Sequence, residues 1–126
     1  MNNLGKLSET EMEVMEVIWN SSTPMTVAQI QDLFAAKEWK TSTVSTLLKR
    51  LIDKRFLTKT MRGKVNYYEP AIPWEEYKKY ETKSFLHRLY NGKVKNFFAA
   101  LVDDDELSQD DINELKEWFL RKEGKE

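Results

Sequence analysis

Along the first half of the chain, apolar residues recur at helical spacing in three short stretches, the first two opened by a small hydroxyl residue. Ser8-Glu-Thr-Glu11 has the form of a capping box, in which the serine hydroxyl accepts from the amide three residues on and the glutamate reaches back. Leu7 and Met12 stand where a hydrophobic staple sets its pair. Met12, Val14, Met15, Ile18 and Trp19 form one stripe, which predicts a first helix ending near residue 19, before Asn20-Ser-Ser-Thr-Pro24 breaks it. Thr26-Val-Ala-Gln29 repeats the capping pattern with Met25 and Ile30 as the staple. It predicts a second helix over about residues 26–37 that turns Val27, Ile30, Leu33 and Phe34 inward. A third helix begins at Thr41 or Ser42, with Val44, Leu47, Leu48 and Leu51 toward the core and Thr43, Ser45, Thr46, Lys49 and Arg50 left on its outer faces.

From Phe56 the period changes. Phe56-Leu-Thr-Lys-Thr-Met61 and Val65-Asn-Tyr-Tyr-Glu69 are rich in β-branched and aromatic residues, and Arg62-Gly63-Lys64 between them reads as a turn. Pro70 and Pro73 end the hairpin. Three helices followed by strand, turn and strand is the order of a winged helix, a helix-turn-helix with a β-hairpin at its side. The expected fold class is therefore mainly α with a small β-hairpin. A winged-helix DNA-binding domain would occupy residues 1–73 and a helical dimerisation region residues 74–126.

In that second region, residues 74–90 carry Tyr77, Tyr80, Phe85, Leu86 and Leu89 among charges, and Asn91-Gly92 reads as a stop. Val94, Phe97, Phe98, Leu101 and Val102 form a short apolar helix ahead of the acidic turn Asp103-Asp-Asp-Glu106. Ser108-Gln-Asp-Asp111 caps a last helix, with Leu107 and Ile112 as staple and Ile112, Leu115, Trp118 and Phe119 on its apolar edge. Folded back on the first domain, these residues would be core. A self-sufficient winged helix leaves them free to pair with their copy, so Tyr77, Phe85, Leu89, Phe97, Phe98, Leu101, Leu115, Trp118 and Phe119 are the expected dimer contacts.

Charge sharpens this picture. Residues 40–64 hold eight basic side chains against the single acid Asp53, a local charge of +7 in a chain whose net charge is −1. Residues 1–73 carry ten basic and eight acidic groups, and residues 74–126 ten and thirteen. A hydroxyl-bearing, basic helix beside a basic hairpin suits phosphates and base edges. Thr43, Ser45 and Thr46 can bond phosphates or bases, their methyls can touch thymine, and Lys49 and Arg50 can reach phosphates or guanine. Lys59, Arg62 and Lys64 at the hairpin can straddle a backbone or enter the minor groove. The competing class is a winged helix that binds proteins instead of DNA, with its partner on the C-terminal helices.

No other chemistry is indicated. There is no cysteine, hence no disulfide, thiolate metal site or thiol nucleophile, and His87 is the only histidine. The four glycines are scattered, so no phosphate loop exists, and the acidic turn lacks calcium-loop spacing. Catalytic residues, metal ligands and cofactors are expected to be none. With neither a secretory signal nor a membrane-spanning run, a soluble cytoplasmic protein is expected.

Three stretches carry a resemblance: residues 7–19 from Leu7 through the Ile-Trp ending, Thr43-Val-Ser-Thr-Leu-Leu-Lys-Arg-Leu51, and Ser84-Phe-Leu-His-Arg-Leu-Tyr-Asn-Gly92, with Asp105-Glu-Leu-Ser108 ahead of the last helix. In these the chain resembles the penicillinase-repressor (BlaI/MecI) family over essentially its whole length. The resemblance implies a homodimeric winged-helix repressor of antibiotic-response or related genes, bound to double-stranded operator DNA. Its recognition helix would present Ser42, Thr43, Ser45, Thr46 and Lys49, with Arg50 nearby and Arg62 or Lys64 on the wing. Some members of the family are inactivated when a membrane sensor protease responds to a β-lactam and the repressor is cut at an Asn-Phe bond. The matching position here is Ala100-Leu101, with an Asn96-Phe97 pair four residues earlier. A copper-responsive branch of the family ends in paired cysteines, which this chain does not have.

Overall fold

The computed structural model describes residues 4–124. Its elements are α1 (Glu9–Trp19), α2 (Val27–Leu33), a single 3-10 turn (Ala35–Lys37), α3 (Thr41–Asp53), β1 (Leu57–Arg62), β2 (Val65–Pro70), α4 (Trp74–Tyr90), α5 (Val94–Asp103) and α6 (Gln109–Gly124). The mainly helical fold with one antiparallel hairpin is the expected class. The chain divides into two compact units, one ending at Lys78 and the other beginning at Lys79.

The first unit is built as the capping signals direct. Ser8 and Glu11 close a reciprocal box at the start of α1, as Thr26 and Gln29 do at α2. Val14, Met15 and Ile18 of α1, Ile30 of α2, and Val44, Leu47, Leu48 and Leu51 of α3 are buried together with Phe56, Leu57, Tyr68, Ile72 and Tyr77. Each such aliphatic side chain stabilises by roughly 1.5–3 kcal/mol, and all four expected core positions of α3 are among them.

The second helix is shorter than its periodicity suggests. It stops at Leu33, and Phe34 leaves helical geometry before the 3-10 turn. Leu33 is consequently 61% exposed rather than inward, and Phe34 with Trp39, ring centroids 4.9 Å apart, closes that end instead. The turn into α3 is pinned by Gln31. Its amide donates to the Trp39 carbonyl at 3.0 Å and accepts from the Thr41 hydroxyl at 2.9 Å.

At the other end of α3, the amides of Phe56 and Arg55 return to the carbonyls of Leu51 and Ile52 at 2.8 and 2.9 Å, a Schellman closure. Arg55 occupies the left-handed position with φ 73°, where glycine is usual. The chain thereby turns directly into β1. In the hairpin, Arg62 pairs with Val65, so Gly63 and Lys64 alone make the loop. Gly63 has φ 64°, at the first loop position where a two-residue turn of the II′ kind requires glycine. Met25 adds an isolated bridge to the free edge of β2, exchanging both backbone hydrogen bonds with Tyr68 at 2.9 and 2.7 Å. A pairing one residue long leaves no alternation to read in the sequence.

The first unit extends past the expected boundary at residue 73. Tyr77, expected at the dimer surface, is 6% exposed, stacked on Trp19 at 5.0 Å and edge-on to Phe56 at 5.6 Å. The indole of Trp19 also donates to the Ile72 carbonyl at 2.9 Å. The first turn of α4 therefore completes this core, and Tyr77 is not available to a partner.

The second unit is built differently. None of its described residues is buried. Phe85, Tyr90 and Phe97 meet edge-on with centroids about 6 Å apart, and Phe98 adjoins Phe97 at 5.3 Å. Asn91 and Gly92 adopt positive φ between α4 and α5, as the stop signal requires. Ser108 and Asp111 cap α6 reciprocally, both hydrogen bonds at 3.1 Å.

Candidate nucleic-acid interface

The packing of Val44, Leu47, Leu48 and Leu51 decides which residues α3 shows to solvent. Ser42, Thr43, Ser45, Thr46, Lys49 and Arg50 are all exposed, in the array the periodicity predicts. The helix start is also open. Lys40 stands at the N-cap without a side-chain hydrogen bond, in contrast to the serine and threonine caps of α1, α2 and α6. Uncapped first-turn amides at the positive end of the helix dipole favour an anionic oxygen.

The hydroxyl groups of α3 are not equivalent. Thr46 donates to the Ser42 carbonyl one turn back, at 2.9 Å, and Thr41 is held by Gln31. The side chains of Thr43 and Ser45 make no hydrogen bond among the described residues, so their hydroxyls are free to donate or accept.

The cations also differ in availability. Lys54 is turned inward: its ammonium lies 2.6 Å from Glu11 Oε1 and 2.7 Å from the Lys6 carbonyl. Glu11 is 2% exposed, the buried charged residue among those described. Burial, the largest single influence, raises its carboxyl pKa. Hydrogen bonds from Lys54 and from the Ser8 amide, with the charge of Lys54, outweigh that and hold the group below its ordinary value. Lys54 therefore serves the fold, and the +7 of residues 40–64 overstates what faces outward. Lys49 meets Asp53 at 3.3 Å, but both side chains are mostly exposed, and such pairs contribute at most about 1 kcal/mol. Lys49 can therefore leave Asp53 for a phosphate.

On the wing, Arg62 and Lys64 are exposed at the tip, with Lys59 further along β1. The Arg62 guanidinium sits over the Tyr67 ring at 5.3 Å, which restrains an otherwise flexible side chain. Met61 and Val65, 65% and 44% exposed, give the same tip an apolar component that a reading of charges alone misses. Among the described residues, no cluster of His, Cys, Asp and Glu could hold a metal ion, and no helix is long and apolar enough to cross a membrane.

The second unit displays the apolar residues expected there. Leu89, Trp118 and Phe119 are exposed, and Phe85, Phe97, Phe98, Leu101 and Leu115 are half-buried. Phe85, Phe97, Phe98, Leu115 and Phe119 line shallow apolar grooves. One of about 460 Å³ lies along Phe85, Leu86, Val94, Phe97 and Phe98, and another of about 280 Å³ along Phe98, Val102, Leu107, Ile112, Leu115 and Phe119. Ala100 and Leu101 lie inside α5, both half-buried.

The sequence model of the family described as penicillinase repressor matches residues 7–121. The penicillinase repressor of Bacillus licheniformis is 36% identical over 115 residues, covering 91% of this chain and 90% of that one. The methicillin resistance regulatory protein MecI of Staphylococcus aureus (strain N315) is 28% identical over 121 residues, covering 96% and 98%. Among solved structures, the DNA-binding domain of the repressor BlaI superimposes with a TM-score of 0.53 at 33% identity, covering 61% of this chain and 94% of that one. The Bacillus licheniformis BlaI monomeric form in complex with the blaP half-operator gives 0.50 at the same identity and coverage.

Proposed function

Because the chain belongs to the penicillinase repressor family, we propose that it is a cytoplasmic transcriptional repressor whose two copies together occupy one operator. The observation that carries the proposal is the outward face of α3, six exposed hydroxyl and basic residues from Ser42 to Arg50, beside a wing tipped by Arg62 and Lys64. That face supports insertion of α3 into the major groove, with the wing on the adjacent backbone. Thr43 and Ser45 supply hydrogen bonds, and Lys49, Arg50, Arg62 and Lys64 supply phosphate neutralisation. The protein performs no chemical step; it represses by occupying DNA that polymerase needs.

The exposed apolar surface of the second unit supports a dimer. A unit with no buried residue among those described, and with Leu89, Trp118 and Phe119 in solvent, acquires a core only by pairing. The occupant of its grooves is the same unit of a second copy. Two DNA-binding units joined in this way gain affinity through effective concentration, and operator symmetry follows from the two-fold axis.

Release of the operator follows from the same arrangement. A membrane sensor protease cutting at Ala100-Leu101 would separate α6 from the rest of the chain and remove Leu115, Trp118 and Phe119 from the pairing surface. That bond lies within a helix, so α5 must unwind before a protease can accept it. Full-length repressor persisting throughout induction, without fragments, would contradict this route.

The function is tested by fluorescence anisotropy of the DNA upstream of the gene, titrated against excess random competitor at two salt concentrations. Competitor-resistant binding that weakens steeply with salt is expected. Weak binding abolished by competitor, at that DNA and at duplexes selected from random sequence, would favour a protein-binding winged helix.

A further inference from the structure

We propose that Thr46 is a specificity-determining residue that reads the 5-methyl group of thymine with its own γ-methyl. The inference rests on the DNA-binding reading of α3 given above. Thr46 is exposed at the centre of the outward face, yet its hydroxyl proton is committed to the Ser42 carbonyl at 2.9 Å. A threonine hydroxyl has a single proton to donate, so in this rotamer it has none for a base. Bonding one turn back also directs the oxygen along the helix surface and leaves the methyl as the branch free to meet the groove. In the major groove only the A·T pair presents a methyl; the Thr46 oxygen can still accept from a base amino group, and apolar contact with the thymine methyl is the readout that its γ-methyl supplies.

The neighbouring positions define a division of labour. Thr43 and Ser45, whose hydroxyls are uncommitted, are the hydrogen-bonding readers on either side. Thr41 is not a hydrogen-bond donor to a base, because its hydroxyl proton goes to Gln31 at the turn between α2 and α3.

The test uses the full-length protein and the tightest duplex obtained by selection from random sequence. Each thymine is replaced in turn, symmetrically in both half-sites, by uracil, which lacks only the methyl group. For the unaltered protein, one thymine position should lose about fourfold in affinity per half-site, the worth of roughly one buried methyl. Thr46→Ser keeps the hydroxyl and its bond to Ser42 but lacks the methyl, so thymine and uracil should bind it equally at that position. Thr46→Val keeps the methyl and lacks the hydroxyl, so it should retain the thymine-over-uracil ratio whatever its absolute affinity. Circular dichroism of both variants checks that α3 is intact.

Uracil sensitivity that persists in Thr46→Ser, or disappears in Thr46→Val, would overturn the assignment, as would indifference to uracil at every position. In each of those cases the selective binding of the unaltered protein stands, and only the role of Thr46 is lost. Failure to select any duplex would overturn both this inference and the proposed function.

Discussion

Replacing Lys54 by methionine separates the cations that hold the fold from those that meet DNA. Methionine keeps most of the aliphatic stem that packs over Gly5, and removes only the ammonium group. Glu11 then keeps its hydrogen bond with the Ser8 amide at 2.9 Å but loses the 2.6 Å contact with Lys54. A hydrogen bond to a charged group is worth roughly 1.5–3 kcal/mol, and breaking a buried pair costs about 3–5 kcal/mol. The Lys54 side chain is 32% exposed, so water replaces part of what is lost. The expected destabilisation is therefore about 2 kcal/mol, toward the lower end of those ranges. Urea unfolding followed by tryptophan fluorescence, at one fixed protein concentration, measures it.

The pH dependence fixes the sign. Glu11 has a lowered pKa in the folded protein, so its stabilising contribution is fully present above the unfolded carboxyl pKa and is lost as pH falls through the lower folded value. In Lys54→Met, burial acts on Glu11 with less opposition, and the gap between variant and unaltered protein should narrow on acidification. Glu11→Gln in the Lys54→Met background should recover more than about 1 kcal/mol, since glutamine can still complete the capping box. The salt dependence of DNA binding should stay as it was. Unchanged stability together with a flatter salt dependence would instead make Lys54 a phosphate contact.

Lys64→Ala should weaken binding to operator and random DNA alike and reduce the log–log salt slope by about 0.9 per chain; a loss confined to the operator would contradict a phosphate role. Phe97→Ala with Phe98→Ala removes two half-buried rings from the groove between α4 and α5, and should raise the dimer dissociation constant at least a hundredfold by sedimentation, at about 1.5 kcal/mol or more for each ring. An unchanged dimer with a collapsed melting temperature would place those rings in the core of a single chain.

Much of this architecture was legible because its signals are local. Capping boxes at Ser8 and Thr26 and the four inward residues of α3 each act within a few residues and stand where the pattern places them. The hairpin turn is one residue shorter than read, with Arg62 paired to Val65 and only Gly63 and Lys64 in the loop. What was hidden depends on distant partners. Glu11 reads as a capping glutamate, and nothing near it indicates that Lys54, 43 residues away, will neutralise it inside the core. Tyr77 has the spacing of its helix neighbours, but Trp19 and Phe56 draw it into the first unit. Leu33 fits the stripe of α2, yet the helix ends beneath it because Phe34 pairs with Trp39. The outward face of α3 was legible as composition, whereas the donation of the Thr46 hydroxyl to Ser42 depends on a rotamer.

Two chains paired through their second units are proposed to read one two-fold site with their α3 helices. This is tested most directly by selecting duplexes from random DNA with the full-length protein and weighing the complex by analytical ultracentrifugation. An enriched inverted repeat carrying two chains is expected, with affinity collapsing when either half-site is scrambled. An asymmetric site saturated by a single chain, or one half-site bound as tightly as the whole, would contradict it.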